Sequence, residues 1–489
     1  MMHGDKRSFR GTIVRLGAPS RLALLVVAFI GHARAADAPA AKLETVAVIV
    51  DKAEVKAGDK VVATVEKGRM FGVIERRGDL VEIQVCVGND VLRGTLPTSA
   101  VKFLTDDDID LAAEWLKMAK DLNPNLDVAA CRAKLDALID RVAAAAAAGE
   151  TPREKARLIG VQLFEREGFT KKVDVKTPDR LLHLKQGDCF GFSFLYLCIG
   201  QRLRMPLCLV AAPDHVFVRC EARGEGFNIE TTQKGKLHDT DDYLRERLGA
   251  QPFSQVGGTH LASLPVPSAL GHLFFGWGKL LSDMGNPAKA CDRCARAVEI
   301  NPRLAEAYVN WGIALAALGK APEACQKYAK AVDINPRFAE AYTNWGVQLE
   351  AMNKTPDACV KYAKAVEINP QYARAYYCWG CALATVGKAP EACGKYAKAV
   401  EINPRLWEAY SNWGAALAAV GRHEEACEKF AKAVESNPRL AKAYYGWGAA
   451  LVFLGKAAEA MEKLEKAAEL DPALKPKVEE LRKELVDKK

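Results

Sequence analysis

Six tryptophans, Trp277, Trp311, Trp345, Trp379, Trp413 and Trp447, stand 34 residues apart, and a glycine follows each one. Pro302, Pro336, Pro370, Pro404, Pro438 and Pro472 keep the same period, as do Ala290, Ala324, Ala358, Ala392, Ala426 and Ala460. A unit this short cannot bury its own apolar face, so copies must stack and bury each other's. The period therefore commits residues 271–474 to six stacked units: 271–304, 305–338, 339–372, 373–406, 407–440 and 441–474.

A bulky residue, a glycine, a small alanine and a closing proline at period 34 resemble the tetratricopeptide (TPR) repeat, a helix-turn-helix unit. The resemblance implies an all-α solenoid with a concave face that binds protein or peptide partners. The tail at 475–489, KPKVEELRKELVDKK, reads as a polar capping helix. The position before each tryptophan is Gly276, Asn310, Asn344, Cys378, Asn412 and Gly446. It faces the groove in family members and is similar to the asparagine ladder of O-linked N-acetylglucosamine transferases. That likeness implies that Asn310, Asn344 and Asn412 hold a peptide main chain, since an amide both donates and accepts. The alternative is that they only fix a neighbouring helix. Lys327, Lys361, Lys395, Lys429 and Lys463, echoed three residues later, read as a solvated face on the second helices, with an acidic partner as the alternative.

The repeats also explain much of the count of 14 cysteines. Cys291, Cys325, Cys359, Cys393 and Cys427 share one repeat position, where a small apolar group is wanted between helices. The spacing of packed helices argues against disulfides between them. Two C-x-x-C strings, Cys291/Cys294 and Cys378/Cys381, lie inside repeat helices without further ligands nearby, so neither a metal nor a cofactor is expected.

The first 35 residues read as a secretory signal peptide: a basic leader, the apolar run LALLVVAFIG, and Ala33-Arg34-Ala35 before Ala36. The run is too short to span a bilayer, which takes about 20 residues. The leader supplies five of the eight net positive charges, so the remainder is only mildly basic. No basic run is interleaved with aromatics, which argues against nucleic acid. The expected location is exported, periplasmic or extracellular.

Residues 44–104 hold short β-branched runs separated by Gly58-Asp59, Gly68, Gly78-Asp79 and Gly88-Asn89-Asp90. They predict about five strands in a small barrel. The spacing, ending in GTLPTSAVKFL, resembles a bacterial SH3-like domain and implies a spacer or docking module. Three helical stretches follow from residue 105.

Between these parts lies GDCFGFSFLYLCIGQRLRMP, from Gly187 to Pro206. Asp188 can cap a helix that is apolar on nearly every side, hence buried. Cys189 then sits in the first turn, where free N–H groups and the helix dipole favour a thiolate; Cys198, at mid-helix, reads as core. Downstream, a strand over 207–212 and a hairpin place His215, Phe217 and Arg219 on one face of the first arm. Asn228, Glu230 and Thr232 share a face of the second, and parity leaves Glu230 and Asn228 both open as the partner of His215. A cysteine at a helix start, a strand histidine and a group to orient it form a cysteine-nucleophile triad. The stretch is similar to the transglutaminase-like family, most of all to its SirB1-type branch, over about 110–260. The resemblance implies a papain-like α+β core within a domain at 106–268, with Cys189 as nucleophile and His215 as base. Glu230 stands where the family has Asp, and Phe217 where it has Trp.

The expected whole is a multidomain chain: signal peptide (1–35), SH3-like β-barrel (44–104), transglutaminase-like domain (106–268), six TPR units (271–474) and a capping helix (475–489). Its expected function is acyl transfer or hydrolysis at protein or peptide amides, with the repeats recruiting the substrate. The rival is a non-catalytic scaffold whose middle domain is a pseudoenzyme.

Overall fold

The computed structural model describes residues 44–212, 215–222, 225–239 and 263–487. The signal peptide expected at 1–35, residues 36–43 and the segment 240–262 lie outside the described residues.

The N-terminal part is β-rich. Seven strands, β1 (Thr45–Val48), β2 (Lys52–Ala57), β3 (Lys60–Glu66), β4 (Met70–Arg77), β5 (Leu80–Val87), β6 (Asp90–Pro97) and β7 (Val101–Phe103), pair in the order β3-β2-β6-β5-β4-β1-β7. The sequence predicts about five. Pattern alone misses two, the three-residue β7 and β2, which reads KAEVKA and is rich in residues of low strand propensity. The strand β2 forms because Ala53 and Val55 alternate into a core with Val46, Phe71, Val81, Ile83 and Leu96. Gly78 and Gly88 take φ of 60° and 58°, which lets the β4–β5 and β5–β6 hairpins turn tightly.

The middle domain begins with helices α1 (Leu111–Leu122), α2 (Val128–Ala146), α3 (Pro152–Gly160) and α4 (Pro178–Leu184). Asp110, Asp127 and Thr151 cap the first three through their side chains. A short parallel pair, β8 (Thr170–Lys171) and β9 (Gln186–Gly187), leads into α5 (Cys189–Leu203). Every residue of α5 from Phe190 to Gly200 is buried. Around it stands a five-stranded antiparallel sheet: β10 (Leu207–Ala212), β11 (His215–Ala222), β12 (Glu225–Glu230), β13 (Lys236–Asp239) and β14 (Ser263–Leu264), in the order β13-β12-β11-β10-β14.

The C-terminal part is all α, six helix pairs and a last helix. The pairs are α6 (Val266–Asp283) with α7 (Pro287–Ile300), α8 (Ala305–Ala317) with α9 (Ala321–Ile334), and α10 (Ala339–Ala351) with α11 (Thr355–Ile368). They continue with α12 (Ala373–Thr385) and α13 (Ala389–Ile402), α14 (Trp407–Ala419) and α15 (His423–Ser436), and α16 (Ala441–Phe453) and α17 (Ala457–Leu470). The glycine after each tryptophan has a packing reason. A Cβ on Gly312, Gly346 or Gly380 would come within 2.5–2.6 Å of the Tyr328, Tyr362 or Tyr396 ring on the second helix of the same repeat. The final helix, α18 (Lys475–Asp487), buries Val478 beside Leu451 and Leu464 of the last repeat.

The lysines expected as a solvated face are used otherwise. Lys327, Lys361, Lys395, Lys429 and Lys463 each hold their ammonium 3.6–4.7 Å from the ring centroid of the tryptophan in the same repeat. Arg293 does the same over Trp277, at 3.9 Å. A cation over an indole face is attracted by the ring quadrupole, and its aliphatic stem covers apolar surface at the same time. Of the echoing lysines, Lys364, Lys398 and Lys466 make exposed i,i+3 ion pairs with glutamates.

The three parts touch. Glu299 at the end of α7, fully buried, accepts from Arg69, Arg296 and the Cys86 N–H of the β-rich part, the last at 2.8 Å. Gln84 donates to the Val298 carbonyl (2.9 Å) and to Tyr308 (2.7 Å). The middle domain and the first repeats share one continuous core, in which Trp115, Phe192, Leu270, Leu273 and Trp311 all take part.

Candidate active site

Asp188 ends the β9 segment in extended conformation and accepts from the Gly191 N–H at 2.9 Å, which starts α5 at Cys189. Cys189 is thus the first helical residue. Its N–H and the next ones have no intrahelical acceptor, and the positive end of the helix dipole lies at its thiol. Cys189 is half-exposed, whereas the residues after it are buried. Nine residues on, the Cys198 thiol is buried, and burial pushes its pKa up.

His215 opens β11 and is buried. Its Nε2 lies 2.8 Å from Glu230 Oε2. The Cys189 thiol lies close enough to the ring to favour its protonated form. Burial opposes the charged ring, but the hydrogen bonds to Cys189 and Glu230 and the charge of Glu230 outweigh it, and the pKa is pushed up to about 9. At neutral pH the ring is an imidazolium between a carboxylate and a sulfur. Glu230 is itself held: its other oxygen accepts from the Thr232 N–H at 3.1 Å and hydroxyl at 2.7 Å.

The strand register separates the two residues that parity left open. Arg219 pairs with Asn228 and Val218 with Ile229. Continuing that register puts Glu230 opposite Phe217, diagonal to His215, while Asn228 lies two residues further from the site. There its Oδ1 accepts from Arg219 Nε at 2.9 Å. The structure brings Cys189, His215 and Glu230 together and leaves Asn228 as a partner of arginine.

A residue that sequence pattern did not single out is Lys176. Its ammonium lies 2.9 Å from Asp174 and 3.6 Å from Asp188, close enough to Cys189 for their charges to interact. No motif marks it; the loop before α4 carries it to the start of α5.

The three asparagines of the repeats differ from one another. Asn412 donates to the Tyr377 hydroxyl and the Cys381 sulfur of the preceding repeat, both at 3.4 Å. The Asn310 and Asn344 amide nitrogens are buried with no hydrogen-bond partner, an arrangement that costs about 1–3 kcal/mol for each group. All 14 cysteines are free thiols. Burial raises the pKa of the repeat-position thiols, to about 11 at Cys291. Among the described residues no group of three His, Cys, Asp or Glu side chains is placed to hold a metal ion, and no helix is long and apolar enough to cross a membrane.

Comparison with known families bears on this geometry. Residues 129–262 match the family model of the transglutaminase-like superfamily. The chain carries a transglutaminase-like domain. Residues 441–474, the sixth helix pair, match the tetratricopeptide repeat model. The transglutaminase-like match contains Cys189, His215 and Glu230 together. No curated protein matches the sequence. Among solved structures, the chain is similar to YrrB, described as a TPR protein with an unusual peptide-binding site (27% identity, TM-score 0.34, covering 37% of this chain and 92% of that one). It is also similar to MamA (25% identity, TM-score 0.32, 33% and 95%) and to a thermophilic TPR protein of Thermus thermophilus (22% identity, TM-score 0.31, 37% and 99%).

Proposed function

We propose that the transglutaminase-like domain is a cysteine acyltransferase or hydrolase acting on protein or peptide amides, and that the repeats bind the polypeptide it acts on. The observation that carries this reading is the continuous chain from Cys189 through His215 to Glu230, with Glu230 anchored in turn by Thr232. Cys189 attacks the amide carbonyl as a thiolate. The C–N bond breaks, the amine leaves with the proton of the His215 imidazolium, and a thioester remains on sulfur. Water or a second amine, deprotonated by the neutral imidazole, then releases the acyl group. Glu230 keeps the ring oriented and its charge balanced throughout, the part that Asp plays in the family. The Cys189 N–H at the head of α5 serves the developing oxyanion, since the Gly191 N–H is taken by Asp188.

The rest of the reading rests on sequence. The leader at 1–35 supports export to the periplasm or the exterior, and the residues around Cys189 and His215 support the SirB1-type branch and a papain-like core. The β-rich part serves as an SH3-like docking module whose contacts with the first repeats hold it to the solenoid.

Alkylation tests the nucleophile. Iodoacetamide at pH 6 is expected to label Cys189 well before Cys198 or the repeat cysteines, read by peptide mass mapping, and His215→Ala is expected to slow the labelling. Equal rates for Cys189 and Cys198 in folded protein would leave a non-catalytic scaffold as the better account.

A further inference from the structure

The nucleophile has a carboxylate as its neighbour in the chain. Asp188 directly precedes Cys189, caps α5 through the Gly191 N–H, and is only 8% exposed. A negative charge shielded from water beside a thiol opposes the thiolate. Burial pushes the Asp188 carboxyl up, while the Gly191 N–H and the charge of Lys176 work the other way. The cap starts the helix but, without a counter-charge, hinders the sulfur.

Among the described residues, Lys176 is the cation that pairs with Asp188. Its ammonium lies 3.6 Å from the Asp188 carboxylate and 2.9 Å from that of Asp174. The loop that carries it is fixed from several sides. The Lys176 carbonyl accepts from the Trp115 indole of α1 at 2.9 Å, and the Val175 carbonyl accepts from the Asp188 N–H at 3.3 Å. A Cβ on Gly191 would come within 2.6 Å of that same Val175 carbonyl, so the loop lies directly against the first turn of α5. The solenoid holds this turn from another side: a Cβ on Gly276 of α6 would lie 2.7 Å from the ring of Phe190, the residue after Cys189.

The two carboxylates differ in what surrounds them. Asp174 takes φ of 65°, a left-handed turn that aspartate tolerates, and its side chain is 73% exposed. Water screens it, and Arg180 and the exposed Lys279 stand near it as well. Asp188 is shielded, so the Lys176 charge acts mainly on Asp188. The charged groups around the sulfur are then Asp188 and Lys176 on the loop side, His215 on β11, and Glu230 on β12 behind the ring.

We infer that Lys176 is a positioning residue of the reaction: it neutralises the Asp188 cap, so that a single carboxylate starts α5 without opposing the Cys189 thiolate. This rests on the reading of Cys189 as a nucleophile.

The test follows iodoacetamide labelling of Cys189 in the full chain from pH 5.5 to pH 9.5, by peptide mass mapping. Lys176→Met is expected to slow labelling about tenfold at pH 6.5, the effect of losing one opposite charge nearby, and to leave the rate at pH 9.5 within about twofold. Lys176→Arg keeps the charge and should stay within about threefold of the unaltered protein throughout. Asp188→Asn keeps the cap, since asparagine caps as well as aspartate. Added to Lys176→Met, it is expected to restore the rate at pH 6.5 to within about threefold. Lys172→Met removes an exposed charge from the same loop and should change the rate by less than about twofold. Cys198 reports whether α5 stays folded; where Lys176→Met lets it react, Lys176→Gln takes its place. An unchanged rate at pH 6.5, an equal slowing at every pH, or a slowing that Asp188→Asn does not relieve overturns the proposal. Failure of the underlying reading looks different: Cys189 of the unaltered protein then labels no faster than Cys198.

Discussion

The transglutaminase-like domain and the solenoid both set a cation against a partner, with opposite consequences. In the domain, the His215 ring is buried between Glu230 and Cys189, and these two partners favour its charged form against burial. In the solenoid, a lysine lies over a tryptophan five times, and all but the first pair, Lys327 with Trp311, repeat one arrangement. A charge buried among unique partners makes chemistry but is fragile, because nothing else can solvate what remains when one partner goes. A half-exposed cation on a ring face makes packing, and water can take it back. The comparison teaches where to strike: the domain fails at one residue, the solenoid weakens by increments.

The largest effect is expected from Glu230→Ala. It removes the carboxylate bonded to a buried imidazolium and orphans the Thr232 donors, a change that costs about 3–5 kcal/mol when one partner of a buried pair is deleted. Urea denaturation of the full chain, followed by a probe of the middle domain, measures it. A loss below about 1 kcal/mol would mean that the pair is solvated like a surface one and that the contrast with the solenoid is false.

A smaller effect follows from pH. The folded pKa of His215 is raised from about 6.5 to about 9. Its contribution to stability is therefore complete below about pH 6.5 and is lost as pH rises through about 9; two and a half units correspond to at most about 3 kcal/mol. The stability gap between the unaltered protein and His215→Gln should narrow steadily from pH 6 to pH 9.5. A gap that stays constant over that range would show that the ring is held neutral, and the ion-pair description of the site would fall.

The solenoid was legible because repetition is written in the sequence itself. Six copies of one spacing display the helix pairs, although not what the lysines do: which way a lysine leans is decided by the ring beside it, and no period reveals that. The placing of Cys189 was legible from Asp188-Cys189 ahead of an apolar run, since a cap and a buried helix leave a single first-turn position. The third residue was not, because Asn228 and Glu230 share parity, and only the register that pairs Arg219 with Asn228 separates them. The strand β2 stayed hidden because its alanines and lysines are driven into the sheet by a core they barely advertise. Least legible was the seat of Phe190 on Gly276, a contact between two domains, where the glycine reads as just another irregular repeat.

The smallest expected effect sharpens the other side of the comparison. Lys361 lies 3.6 Å from the Trp345 ring centroid and is half-exposed. Lys361→Met keeps most of the stem's coverage and removes the charge, so it isolates the cation–ring attraction, about 0.5–1 kcal/mol at such a site. Lys361→Ala removes the stem as well and should cost somewhat more. Lys327 is the informative exception. It is only 2% exposed and donates to the Asn89 carbonyl of the β-rich part in addition to facing Trp311. Lys327→Met leaves that part-buried carbonyl without its donor, which adds about 0.5–1.5 kcal/mol. Denaturant midpoints for the two methionine variants should therefore differ, with Lys327→Met the less stable. Equal midpoints would mean that the lysine over Trp311 is one more copy, and that the β-rich part is held to the solenoid by other contacts, such as those of Glu299 and Gln84.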